Sequence, residues 1–72
     1  MDVRPGIYQH YKGKRYRVIG TAKHSETEEE LVVYECLYDN PSGQLWVRPK
    51  AMFLETVMVE GKQILRFAFV GE

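Results

Sequence analysis

The chain has 72 residues, 44% of them apolar, with ten Lys or Arg balanced by ten Asp or Glu. This is the size of one domain, residues 1–72 with a core from 6 to 70, and its zero formal charge excludes the global basic field of most nucleic-acid binders. A lone cysteine, Cys36, excludes an internal disulfide and a cysteine-rich zinc site, which points to the reducing cytoplasm, and no apolar run approaches the length of a membrane span.

The opening segment, Ile7 to Gly20 ("IYQHYKGKRYRVIG"), reads as a hairpin. A three-residue loop, Tyr11-Lys12-Gly13, with glycine in the left-handed region lays Tyr8 beside Tyr16 on the inner face. Alternation along the second arm then places Tyr16, Val18, Gly20, Ala22 and His24 on that face.

The next segment, "AKHSETEEELVVYE", carries two conflicting signals. Ser25 followed by Glu28 has the form of a helix capping box, yet Leu31-Val32-Val33-Tyr34 is strand chemistry. A helix over residues 26–30 is too short to stand alone and has no amphipathic continuation. The segment is therefore expected to be an exposed loop, with Ser25 or Thr27 available to cap a single turn. Charge is polarised here: residues 1–23 hold six Lys or Arg and one Asp, whereas residues 24–39 hold six acids and no Lys or Arg. Solvated faces account for most such runs; a dipolar surface that orients a partner is the functional reading.

"LVVYECLY" and "QLWVR" follow as strands joined by the turn residues "DNPSG". Pro49 then opens one helical turn, "PKAMF", with Met52 and Phe53 folding back onto the core. In "ETVMVEGKQILRFAFV" the odd parity of Val57, Leu65, Phe67 and Phe69 predicts a hairpin with a three-residue loop, Val59-Glu60-Gly61. The order of elements predicts a mostly β protein: a small SH3-like β-barrel of five to six antiparallel strands with one short helical turn. An open, strongly bent antiparallel sheet is the alternative.

Three constellations could carry chemistry. His10 and His24 are the only metal-suited pair, but a straight strand would separate residues 16 and 24 by about 26 Å, so no metal or cofactor is expected. His24 beside Glu26 or Glu28 could be a general acid/base, although Ser25 points to the opposite face of an extended chain and makes no triad. Tyr34, Tyr38 and Trp46 supply stacking surfaces, and Arg48, two residues from Trp46, shares its face and could fork an anion. The plain alternatives are that the aromatic rings fill the core and that Arg48 forms an ion pair, as Arg66 is expected to do with Glu55.

Taken as a set, the words at Gly6, Tyr8, His10 to Gly13, His24 to Thr27, Trp46 to Pro49, Met52, Phe53, Arg66 and Phe67 resemble the bacterial family known as domain of unknown function 1653. The resemblance runs from Gly6 to about Phe69. It implies a free-standing bacterial cytosolic domain and implies no activity. The residues themselves suggest a binding module for a peptide, nucleotide or nucleic-acid segment at a rim formed by His24, Ser25, Glu26, Thr27, Tyr34, Tyr38, Trp46 and Arg48. The alternatives are a small enzyme using His24 as acid/base and Arg48 as anion stabiliser, or a domain that meets a protein partner through a strand edge.

Overall fold

A computed structural model describes residues 2–72. The elements are β1 (Gly6–His10), β2 (Arg15–Lys23), β3 (Glu30–Cys36), β4 (Leu45–Pro49), α1 (Lys50–Phe53), β5 (Thr56–Val59), β6 (Lys62–Leu65) and β7 (Phe67–Gly71). Five strands form an antiparallel sheet in the order β4-β3-β2-β1-β7, and β5 pairs only with β6.

The protein is therefore mostly β with one short helix, but among the described residues no ladder joins the edge strands β4 and β7 into a closed barrel. The open antiparallel sheet of the alternative is what forms. Side chains rather than backbone hydrogen bonds fill the gap between those edges. Phe53 of α1 stacks on Phe67 of β7 with ring centroids 4.3 Å apart, and Arg48 of β4 lies over the same Phe67 ring, its Cζ 5.3 Å from the centroid. Around them Val3, Tyr8, Val18, Val32 and Tyr34 complete the core, with Tyr16 and Leu54 packed against it. Phe53 folds inward as expected, whereas Met52 stays exposed.

The first hairpin has the expected register, with Tyr8 opposite Tyr16 and Gly13 at φ 110°. Beyond it, a bulge between Val18 and Gly20 adds one residue to β2 and exchanges the faces of everything that follows. Val18 lies opposite Tyr34, but the next buried residue of β3, Val32, lies opposite Thr21. Gly20 and Ala22, predicted on the inner face, are thereby moved off it.

The second hairpin also departs from expectation. Val59 pairs with Lys62 across a two-residue loop, Glu60-Gly61, whose φ values are both positive (51° and 79°), the requirement of a type I′ turn. Leu65 consequently faces Thr56 rather than joining Phe67 and Phe69 on one strand. The chain breaks at Arg66, and β7 starts afresh beside β1, with His10 opposite Phe67.

Candidate functional site

β4 positions two of the predicted residues. Trp46 lies opposite Tyr34 and Arg48 opposite Val32, so both share the face that β3 buries. β4 is an edge strand of the sheet, and Trp46 remains 38% exposed at the rim of that face. Its indole N–H donates to the Gly43 carbonyl (3.0 Å), leaving the ring face as the surface it offers. The Arg48 guanidinium over Phe67 is a cation–π contact, and no carboxylate of the described residues comes within 4.0 Å of it.

The pairing of β1 with β7 brings His10 to the same ring. His10 ends β1 and meets Phe67 edge-on, 4.9 Å between centroids. Its Nδ1 accepts the Lys12 backbone N–H (3.2 Å), so the neutral imidazole carries its proton on Nε2 and has one donor to offer. Burial lowers the His10 pKa from the usual histidine value, and the positive charges of Arg48, Arg66 and Lys12 lower it further.

Arg66 directly precedes Phe67. Its expected ion pair with Glu55 does not form: the two meet through the backbone, Arg66 N–H donating to the Glu55 carbonyl (3.0 Å), while the Arg66 carbonyl accepts the Tyr11 N–H (2.9 Å). The Arg66 Nε is buried and has no hydrogen-bond partner among the described residues. A buried donor left unpaired costs about 1–3 kcal/mol, which makes this a position where an acceptor is needed. Arg48 and His10 thus meet at Phe67, with the charge of Arg66 acting on His10, and their shared chemical capacity is to donate hydrogen bonds to an anion. Beside His10, a cleft of about 450 Å³ opens between the β1–β7 edge and the separate hairpin, lined by Gln9, His10, Tyr11, Ile64, Leu65 and Ala68.

The predicted residues do not all gather here. His24, Ser25, Glu26 and Thr27 are exposed and lie in the β2–β3 connection, beyond the last pair, Lys23 with Glu30. Tyr38 follows the opposite end of β3; from Glu30 to Tyr38 is eight steps of chain, about 26 Å if extended. His24 has a local structural task. Its Nδ1 accepts the Glu26 and Thr27 N–H groups (3.1 and 3.4 Å), and its carbonyl accepts the Glu28 N–H, closing one turn without a helix. Thr27 Oγ1 accepts the Glu29 N–H, so His24 and Thr27 cap the turn, and Ser25 is not among the caps. With amides on Nδ1, no carboxylate orients His24 in the manner that the acid/base alternative requires.

Tyr34 is buried in the core, with no face free at the rim. Tyr38 shares a hydrogen bond with Tyr16 (3.2 Å between hydroxyls), which, with the Cys36 thiol, raises its pKa, and Lys14 Nζ lies 4.2 Å from its ring centroid. Of the eight predicted residues, Trp46 and Arg48 stand at one place. His10, Arg66 and Phe67 complete it, and these were read separately in the sequence. The available signal was the parity of His10 with Tyr8; the pairing of β1 with β7, a contact between the chain's two ends, is what joins His10 to Arg66 and Phe67.

The family model for a protein of unknown function, DUF1653, matches residues 6–69. A crystal structure of a protein belonging to DUF1653 from Bordetella bronchiseptica superposes with a TM-score of 0.92 at 41% sequence identity, covering 97% of this chain and 90% of that one. No curated protein matches the chain.

Proposed function

We propose, for a chain that belongs to the DUF1653 family, a non-enzymatic binding module that receives a planar, anionic ligand at the edge of the sheet's inner face. The observation carrying this reading is Arg48. It is a guanidinium held over Phe67 with no carboxylate partner among the described residues, two positions from the partly exposed Trp46. A guanidinium without a carboxylate beside an exposed indole suits a ligand with an acidic group and a flat ring.

The strand order, with β7 returning beside β1, supports an opened SH3-like arrangement whose mouth is this edge. We read the module as a single bacterial cytoplasmic domain, in keeping with a buried free Cys36. The rim predicted at His24 to Thr27, Tyr34 and Tyr38 contributes less to this reading, because those residues cap a turn, fill the core or hold one another.

An amide and side-chain NMR titration with pooled nucleotides, short single-stranded oligonucleotides and peptides tests it. Shifts at the Trp46 indole and Arg48 Nε, lost in Arg48→Met, are expected. A ligand that binds equally well to Arg48→Met and Trp46→Ala would overturn the reading.

A further inference from the structure

The proposed rim reading leaves the ligand's acidic group open. Two donors bear on one aromatic ring, Arg48 over Phe67 and His10 against it, and the positive charge of Arg66, the residue before Phe67, acts on His10. Neither guanidinium meets a carboxylate within 4.0 Å among the described residues, and the Arg66 Nε–H is buried without an acceptor. The site therefore holds two permanent positive charges uncompensated. A carboxylate would neutralise one of them, whereas a phosphate monoester near neutral pH brings close to two charges and three acceptor oxygens.

Resting on the rim reading, we propose that His10, Arg48 and Arg66 form a socket for the dianionic phosphate of a mononucleotide whose base stacks on Trp46. Two observations choose a mononucleotide over other phosphate carriers. Ten Asp and Glu balance ten Lys and Arg, so the chain has no net positive field to hold a longer nucleic-acid strand. Trp46, its N–H already given to Gly43, offers a ring face that suits a stacked base better than a hydrogen-bonding peptide.

The socket has a built-in pH response. The groups bearing on His10 are Arg48 from β4, Arg66 from the β6–β7 junction and Lys12 from the first turn, all positive, with the Tyr11 ring 4.6 Å away. In the free protein they disfavour the imidazolium. A bound dianion reverses the local sign, so binding takes up a proton on Nδ1 at the expense of the hydrogen bond from the Lys12 N–H, and affinity rises as pH falls through the His10 pKa of the complex.

The test uses sulfate, adenosine 5′-monophosphate, adenosine and a phosphoserine peptide as probes, with binding followed by NMR. Sulfate stays dianionic throughout the pH range, which isolates His10 from the titration of the phosphate itself. Wild-type protein is expected to bind sulfate with shifts at His10, Arg48 and Arg66, about fivefold or more tightly at pH 6 than at pH 8, and His10→Gln to lose that dependence. The monophosphate should bind about tenfold tighter than adenosine. Arg48→Lys, which keeps the charge and removes the fork, should weaken it while retaining a dispersed spectrum, and Arg66→Lys should do the same.

Equal affinity for monophosphate and adenosine, with Trp46 shifting, would overturn the socket and leave the rim reading standing. Sulfate shifts at His10 without any Trp46 response to the nucleotide would uphold the socket and overturn the rim. A phosphoserine peptide binding more tightly than the nucleotide would overturn the nucleotide assignment.

Discussion

Phe53→Ala is the most direct trial of the way this open sheet is held together. Phe53 is 1% exposed, stacks on Phe67 at 4.3 Å and meets Tyr8 edge-on at 5.3 Å, so it closes by side-chain packing the gap that the strands leave unbonded. Truncating a buried phenylalanine to alanine costs about 3–5 kcal/mol, and a 72-residue domain has only about 4–11 kcal/mol to lose. The unfolding entropy of a chain this long is about 150 cal/mol/K near its midpoint, so the loss corresponds to a Tm lower by about 20–30 °C. The assay is thermal and urea unfolding followed by circular dichroism. Phe53→Leu, which conserves most of the volume but loses the ring contacts, should remain folded and lose about 1–1.5 kcal/mol. Met52→Ala, one residue earlier in the same turn but 47% exposed, should change stability by less than about 0.5 kcal/mol. If Phe53→Ala lost no more than Met52→Ala, the reasoning that α1 seals the core would be wrong.

Gly6 has φ 144°, and a Cβ there would stand 2.7 Å from Phe69 Cε1 and 2.8 Å from the Gly71 carbonyl oxygen; Gly6→Ala should therefore push β7 from β1 and lower stability by about 2 kcal/mol or more, read by urea unfolding. His24→Ala removes the acceptor for the Glu26 and Thr27 amides: hydrogen exchange at those two amides should quicken, with a global loss of about 1 kcal/mol or less, and unchanged exchange would refute the capping role. His10 should titrate below 6.5, and Arg48→Met should move its midpoint upward, since one of the charges opposing protonation is gone. Because its folded pKa is the lower one, the unfolded chain binds more protons as pH falls through 6.5, so His10 contributes stability at neutral pH that is lost between 6.5 and its folded pKa; a His10→Gln protein lacking that component of the pH dependence confirms the sign.

Local chemistry made much of this protein legible. Gly13 and the parity of Tyr8 and Tyr16 fixed the first hairpin, because turn type and alternation are properties of a few adjacent residues. The failures have equally local causes. Glu60 accepts a positive φ beside Gly61, so the second hairpin closes with two loop residues where parity suggested three. Nothing in "RVIG" announces that Ile19 is the extra residue of a bulge, yet that single insertion reverses the faces of Gly20 and Ala22.

Local pattern was enough for a β protein with turns where Gly, Pro and Asn stand, an inward Phe53 after Pro49, and the placement of Trp46 and Arg48 on one strand face. These follow from dihedral preferences and period-two alternation, which act within a strand. Long-range packing settled that the sheet stays open, that Tyr34 is core rather than rim, and that His10 joins Arg48 at Phe67. Those outcomes depend on β7 pairing with β1 across nearly the whole chain, and pairing between distant segments is chosen by the burial of complementary faces, which no local pattern encodes.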